Sequence, residues 1–563
     1  MTTTNKNSVS RTICNNSIDY IKHLLDTTTN TNTKNKNKNK THYINYEHTI
    51  TQLVNTFLTT QLQLITKLFS IKNNLSFILT YTKEKLNSDS DTTLPYSIPS
   101  FIDIFRYLIT INEFISQFTL DEQKKLKDNL NNTKTKKECY LFLNKVQLGT
   151  KLLKIYNQFI YSYPSIYDTL LKLYPSLEFH SLLINNFTSY TLLEEIELNI
   201  KHLIKYSIVW KGKTYPNIVY VFMYDDDNNN NDDNDDDNNN NNDDHNNNNN
   251  NNTMPSDYLH NLGTDIIKRL LFFNEFLTTT HLPDRFILFL TDKKKEIDKD
   301  LIENYHFKTS HVNTAVTNSR DIIIYRKEEL FKSIFHEAIH FHQLDFRNLS
   351  SPNAISTLNY FTKTHHINTD NTYLLYEAIT ETLANVLNSL YYSRDINEMK
   401  LTLKNEIIFS TLQVSKVLHL GNYTTWNEFS FSKSTKITKY NSKHISKHKK
   451  NKTNNTYNKK NKIKFKQDSC VFSYYIVKLY LLLNLSLYFK TNLDKQLKFI
   501  STEKSFKQLI ELIDVSRNNL VLKQFINSLL QGMNKKLTKT NLTKYNTIKK
   551  TMRMTCNENQ SML

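Results

Sequence analysis

Two histidines four residues apart, with a glutamate directly after the first, are the residues of this chain best suited to chemistry. The run is His336-Glu337-Ala338-Ile339-His340. On an α-helix, residues four apart lie on one face about a turn apart, so both imidazoles can bind one metal ion, typically zinc. Glu337 would then lie beside the open position of the metal, where a carboxylate can take a proton from bound water.

The motif lies within a helical pattern over residues 326–344. Its apolar face is formed by Leu330, Phe331, Ile334 and Phe335. A zinc site needs a third protein ligand, and the metzincin class would place Gly at 343 and His at 346. This chain has Gln343 and Phe346, so that class is excluded. The alternative is a purely structural helix, in which both histidines are buried and hydrogen-bonded and bind no metal.

A second helical pattern, over residues 372–392, carries Glu377 and Glu381 one turn apart. Both lie beside an apolar stripe formed by Leu375, Ile379, Leu383, Val386 and Leu390. Two carboxylates at the edge of an apolar core destabilise the fold unless a positively charged group pairs with them. A metal ion and a metal-bound histidine would supply that charge, and a solvated helix face is the alternative.

Together the two segments resemble the gluzincins, the thermolysin-like metallopeptidases with two His and one Glu on zinc. The resemblance implies that Glu377 is the third ligand and that Glu381 orients a ligand histidine, although two glutamates could exchange these roles. It also implies an oxyanion donor from beyond residue 392. Tyr474 and Tyr475 are candidates because they open an apolar helix, and ordinary packing is the alternative for both.

The segments before the motif follow the order of the zincin upper subdomain. The patterns predict strands at 207–210 and 217–224 around a Lys211-Gly212-Lys213 turn, a helix at 258–277, and strands at 285–291, 311–317 and 321–325. In such enzymes the edge strand aligns substrate by backbone pairing, which would give residues 312–316 that role. Over about 207–392 the chain is also similar to metallopeptidase-like proteins of large nucleocytoplasmic DNA viruses.

The predicted fold class is α+β, with a zincin-like catalytic core (a small mixed sheet and the active-site helix) between mainly helical regions. A chain of 563 residues has room for more than one domain. Composition predicts a disordered linker at 1–42, a helical domain at 43–200, the catalytic domain at 201–431 with an Asn/Asp-rich insertion at 225–252, a disordered Lys-rich insertion at 432–467, a helical subdomain at 468–534 and a basic tail at 535–563.

The formal net charge of +18 comes largely from low-complexity segments, since residues 433–466 carry 13 Lys and no acidic residue. Such tracts bind phosphate non-specifically, so a nucleic-acid partner stays open. No helix-turn-helix, zinc finger or RNA-binding aromatic motif accompanies them, which favours solvated loops.

The cysteines are far apart in sequence and have no paired spacing; they are Cys14, Cys139, Cys470 and Cys556. This argues against a disulfide framework and a thiolate zinc site, and fits a reducing compartment. Residues 1–16 lack the apolar core of a secretory signal. Residues 470–489 are interrupted by polar side chains, including Lys478, and favour a buried helix over a membrane span. We therefore expect a cytoplasmic protein that is not secreted, in host cytoplasm or virion if viral.

The sequence thus predicts a zinc metallopeptidase acting on a peptide or protein substrate. His336 and His340, with Glu377 as the resemblance implies, would hold Zn²⁺, and Glu337 would act as general base. Two other classes stay open: a structural or binding protein with an inactive zincin fold, and a basic nucleic-acid-binding protein in which the motif is incidental. The intact Glu337 argues mildly against the first. Cleavage specificity and oligomeric state stay open.

Overall fold

The computed structural model describes residues 8–27, 33–85, 101–130, 132–133, 135–173, 189–224, 256–345, 375–430, 466–493, 502–535 and 539–558. The chain has a mixed α+β fold that divides into two compact units. The helical unit comprises residues 1–65, 296–308 and 343–557, and the sheet unit comprises residues 66–295, 309–342 and 558–563. Residues 43–200, predicted as one domain, are divided between the units after Ile65.

The elements are numbered in chain order. The helices are α1 (Ser8–Thr27), α2 (Thr33–Thr60), α3 (Leu62–Asn74), α4 (Phe101–Leu108), α5 (Asn112–Ile115), α6 (Leu120–Leu130), α7 (Lys136–Lys145), α8 (Gly149–Ser162), α9 (Pro164–Leu173), α10 (Tyr190–Asn199), α11 (Ser256–Leu277), α12 (Lys299–Asn304), α13 (Thr309–Val312), α14 (Leu330–Phe341), α15 (Leu375–Tyr392), α16 (Ile396–Leu420), α17 (Trp426–Ser430), α18 (Lys478–Leu482), α19 (Leu485–Asn492), α20 (Glu503–Arg517), α21 (Leu520–Met533) and α22 (Lys539–Lys550). A π-helical turn, Ser473–Val477, precedes α18. The strands are β1 (Ile78–Lys85), β2 (Ile200–Trp210), β3 (Lys213–Tyr224), β4 (Arg285–Phe289), β5 (His306–Phe307), β6 (Ala315–Thr317), β7 (Asp321–Ile324) and β8 (Lys466–Gln467).

A six-stranded mixed sheet organises the sheet unit, in the order β1-β2-β3-β4-β7-β6. The first three strands are antiparallel, β3, β4 and β7 are parallel, and β6 runs antiparallel to β7 at the edge. Lys211 and Gly212 join β2 to β3 with φ of 50° and 73°. Two positive φ values suit a two-residue hairpin, because they match the twist of the strands. The predicted turn is therefore present.

Helices cover both faces of this sheet. One face packs on helices α4–α10 through a single apolar core, to which the sheet contributes Leu203, Phe222, Ile287, Phe289, Ile323 and Tyr325. Because successive side chains of a strand point to opposite faces, Ile322 and Ile324 of β7 point the other way. There α14 lies against β6 and β7 and packs on α11. The sheet thus gives the helix of the histidine motif a fixed apolar support.

The structure also differs from the sequence predictions at other places. Residues 1–42 are predicted as a disordered linker, but α1 and the start of α2 lie there, because the apolar residues of α1 recur at helical spacing and are buried. The strand predicted at 311–317 is the short helix α13 followed by a strand of only three residues, β6. Strand β1 lies in a region predicted as helical; it is an exposed edge strand whose Thr and Tyr residues favour β-structure.

The helical unit ends in a buried non-helical stretch, residues 551–557, which we call the C-terminal segment. Buried side chains donate to its backbone carbonyl oxygens: Gln413 Nε2 to Arg553 at 2.6 Å, Lys478 Nζ to Met554 at 2.6 Å and Asn388 Nδ2 to Asn557 at 2.8 Å. Within the predicted basic tail at 535–563, this segment is buried, because Met552, Met554 and Cys556 are apolar.

Other predictions fall on parts of the chain that lie outside the described residues, namely the Asn/Asp-rich insertion at 225–252 and residues 432–465 of the Lys-rich insertion. Over the described ranges, no helix has the length and apolar character needed to cross a membrane. Residues 470–489 form the π-helical turn, α18 and part of α19, and most of their side chains are buried.

Candidate metal centre

The start of the metal-motif helix α14 is fixed by a buried ion pair. Glu329 caps the helix with φ of 61°, a left-handed conformation that is uncommon for a residue with a side chain. Its carboxylate accepts from Lys295 Nζ at 2.5 Å, and the two side chains are 0% and 1% exposed. The neighbouring Glu328 carboxylate accepts from the backbone N–H of Lys295. These contacts anchor the helix just over two turns before Glu337.

The apolar side of α14 faces α11. The ring centroids of Phe335 and Phe272 are 6.0 Å apart in an edge-to-face arrangement. The guanidinium of Arg269 lies 3.9 Å from the ring centroid of Phe331, a cation–π contact. Phe331 and Phe335 are one turn apart, so they lie on the same face of α14 and pack against α11. His336 lies on a different face, which is not used for this packing.

The two histidines of the motif face each other across one helical turn. His336 and His340 are 8% and 6% exposed, and their Nε2 atoms are 3.1 Å apart. Two nitrogen ligands of a tetrahedral zinc ion, each about 2.0–2.1 Å from the metal, are roughly 3.3 Å apart. The observed spacing therefore fits two ligands of one ion. A hydrogen bond between a protonated and an unprotonated Nε2 fits the same distance.

Glu337 is held from the edge of the sheet. The hydroxyl of Thr317, the last residue of β6, donates to the carboxylate of Glu337 and lies 3.3 Å from its backbone carbonyl oxygen. Glu337 is 4% exposed, so this contact orients a carboxylate that has little access to bulk water. The edge strand β6 thus provides a side chain that contacts the candidate base. This residue lies one position beyond the range 312–316 that the sequence predicts to align substrate.

The predicted acidic ligand lies on α15. Glu377 is 9% exposed and Glu381, one turn further along, is fully buried. His336, His340 and Glu377 are residues whose side chains could together hold a metal ion. Two imidazoles and one carboxylate are the donor set of many catalytic zinc sites, which keep a fourth position for water. These three residues fit a zinc ion by their chemistry.

No protein-family model, no curated protein and no solved structure matches this chain.

A third histidine beside the motif carries no positive charge at neutral pH. The ring of His342 lies 5.5 Å from that of Phe273 and 6.4 Å from that of His281. Burial, and to a smaller extent His281, lowers the pKa of His342 to about 4. His342 therefore adds no positive charge beside the two histidines of the motif at neutral pH.

The two predicted oxyanion donors lie in the π-helical turn of the helical unit. Tyr475 is 1% exposed, and its hydroxyl donates to the backbone carbonyl oxygen of Met552. Lys478, one turn after Tyr474, donates to the backbone carbonyl oxygen of Met554 in the C-terminal segment. The hydroxyl of Tyr475 is thus engaged in packing, which is the alternative that the sequence leaves open. Tyr474 is only partly buried.

Sequence patterns missed three residues that position α14. Thr317 is the last residue of the strand predicted at 311–317, and its hydroxyl becomes informative only once β6 is placed beside the helix. Lys295 ends a run of three lysines, a pattern typical of a solvated surface. Its partner Glu329 stands in the acidic pair before the helix. An acidic pair there is a helix-start signal that could have drawn attention to this position.

Proposed function

We propose that this protein is a zinc-dependent peptide hydrolase. The observation that carries the proposal is the arrangement on α14, where two buried imidazoles have Nε2 atoms 3.1 Å apart and Glu337 follows the first of them. Two facing imidazoles with a neighbouring carboxylate are a donor set well matched to a divalent cation.

The proposed ligands are His336, His340 and Glu377, which supply two nitrogens and one oxygen. A zinc ion bound there would lower the pKa of its water ligand to about 7 and polarise the scissile carbonyl. Glu381, buried one turn from Glu377 on α15, is the proposed carboxylate that orients a ligand histidine. The small exposure of all these side chains would limit competing solvent.

Proton transfer and substrate alignment would be carried out by Glu337, Thr317 and strand β6. Glu337 would accept the proton of the attacking water and pass it to the leaving amine. The hydroxyl of Thr317 would hold the Glu337 carboxylate in position for both transfers. Strand β6, antiparallel to β7 at the edge of the sheet, would align an extended peptide by backbone pairing. A peptide substrate suits this edge because its backbone supplies the complementary groups.

The test is turnover of a mixed peptide library by the full chain with zinc added. Wild type should cleave it, and Glu337→Gln should not, while the exposed Glu303→Gln serves as the matched control for the same chemical change. His336→Ala should lose activity, with His260→Ala, exposed on α11, as its control. Full activity in Glu337→Gln would exclude this mechanism. Zinc binding without turnover in wild type would favour the binding-protein class instead.

A further inference from the structure

Two cysteines that are far apart in sequence meet in the core of the helical unit. Cys14 lies on α1 and Cys556 lies in the C-terminal segment, and their sulfur atoms are 2.7 Å apart. The side chains are 6% and 0% exposed. Cys14 Sγ is also 3.5 Å from the backbone carbonyl oxygen of Cys556. The two side chains therefore already point at each other, as the geometry of a disulfide requires.

Well-packed elements hold both cysteines in place. Glu406 on α16 accepts from the backbone N–H of Cys556 at 3.1 Å, from the hydroxyl of Thr555 at 2.8 Å and from Asn557 Nδ2 at 3.1 Å. On the other side, the apolar residues of α1 around Cys14 are buried; they are Ile13, Tyr20, Ile21, Leu24 and Leu25. The approach of the two sulfurs thus results from the packing of the unit and not from a loose loop.

We propose that Cys14 and Cys556 are a covalent modification site, at which a disulfide donor oxidises the pair to an intramolecular disulfide. One protein thiolate attacks a sulfur of the donor, which is glutathione disulfide or a protein disulfide, and releases one donor thiol. The second protein thiolate attacks the mixed disulfide and releases the other donor thiol. Two protein thiols are oxidised and one donor disulfide is reduced, and the two protons go to the released thiolates. The proposal does not depend on the peptidase function.

Reaction of this pair requires an opening of the fold. Burial, the neighbouring Cys14 thiol and Glu406 together raise the pKa of the Cys556 thiol, so the folded reduced protein has little thiolate there. The bridge would therefore form while the C-terminal segment docks during folding, or when it opens transiently. Once closed, it would be shielded from reductants by the same burial.

The bridge would act on the helix that carries the proposed acidic ligand. Asn388 of α15 donates to the Asn557 carbonyl oxygen, and Asn385 donates to that of Met554 at 3.4 Å. Glu377 lies at the start of the same helix. A disulfide that ties the C-terminal segment to α1 would hold this segment against α15, and loss of the bridge would leave only hydrogen bonds and packing to do so.

Tryptic peptides of the full chain test the bridge directly. Cleavage after Arg11 and Lys22 places Cys14 in peptide 12–22, and cleavage after Arg553 places Cys556 in peptide 554–563. The reduced chain is incubated in glutathione redox buffers, either native or refolded from guanidinium, and is then acid-quenched, alkylated and digested. We expect one linked species whose mass is the sum of the two peptides minus two hydrogens. It should disappear after reduction.

The Cys139→Ser/Cys470→Ser double variant is the matched control and should form the same linked peptide. Cys14→Ser and Cys556→Ser should not form it. Because the bridge would close nearly the whole chain into a loop, oxidised wild type should also migrate faster than reduced wild type on a denaturing gel without reductant. Four alkylated cysteines in both arms under oxidising buffer would overturn the proposal, as would links to Cys139, Cys470 or a second chain.

Discussion

Replacing Lys295 by methionine should destabilise the sheet unit strongly, because it removes the cation that meets Glu329 at the start of α14. The Lys295 Nζ to Glu329 carboxylate distance is 2.5 Å, and the side chains are 1% and 0% exposed. Removal of one partner of such a buried pair costs about 3–5 kcal/mol, because a charge is left in a medium that solvates it poorly. Methionine keeps most of the volume of lysine, so the lost charge dominates the effect.

The double variant Lys295→Met/Glu329→Gln separates this charge effect from packing. Removal of both charges avoids the isolated carboxylate, so the double variant should be more stable than the sum of the two single losses predicts. The difference is the coupling energy of the pair, for which about 0.5–3 kcal/mol is typical of groups in direct contact. Glutamine, like glutamate, is unbranched at Cβ. The left-handed backbone of residue 329 is therefore equally strained with either side chain.

Urea denaturation measures these changes, with tryptophan fluorescence to select the unit. The chain has two tryptophans. In a Trp426→Phe background, the remaining Trp210, 2% exposed on β2, reports on the sheet unit. Arg320→Gln is the control, since Arg320 pairs with Asp284 at 2.7 Å but both are exposed, and its midpoint should not move. A stabilising buried ion pair is excluded if Lys295→Met shifts the midpoint no more than this control, or if the two single losses simply add.

Three further predictions concern single side chains. Glu337→Gln should keep zinc and lose roughly 10²-fold or more in turnover, measured by metal analysis beside the peptide assay; equal turnover would contradict its role as base. Burial raises the pKa of Glu197 from 4.5 to about 7 in the folded protein. As pH rises, the unfolded chain therefore loses this proton at a lower pH than the folded protein does. Stability should therefore fall by about 3 kcal/mol as pH rises between these two values, and Glu197→Gln should remove this part of the urea pH profile. Tyr475→Phe should cost about 1–3 kcal/mol, because the Met552 carbonyl oxygen loses a buried donor; an unchanged melting temperature would contradict that contact.

Local patterns predicted the elements that carry the centre better than their surroundings. Helix spacing placed α14 at 326–344 and α15 at 372–392, against Leu330–Phe341 and Leu375–Tyr392 in the structure. The hairpin at Lys211 and Gly212 could also be predicted from the sequence, because turn residues between two apolar runs are typical of a β-hairpin. Both kinds of signal depend on neighbours in sequence, which is why they could be found without a structure.

Features that depend on distant residues could not be predicted in this way. The contact of Thr317 with Glu337 requires the edge strand to lie beside α14. The Lys295 and Glu329 pair looks like two exposed charged runs until the fold buries it. Cys14 and Cys556 are 542 positions apart, so no spacing rule connects them. The short helix α13 replaced a predicted strand because its residues carry both β-branched and polar side chains, for which local propensity is a weak guide.

Zinc titration of the full chain tests whether His336, His340 and Glu377 together hold one metal ion. The metal-free protein is titrated with Zn²⁺ by calorimetry, and bound metal is counted after dialysis. We predict one zinc per chain for wild type and for Glu337→Gln, and loss of that zinc in His336→Ala, His340→Ala and Glu377→Ala, with His260→Ala unchanged. Zinc that stays bound at full stoichiometry and affinity in Glu377→Ala, or wild type that binds none, would contradict the account.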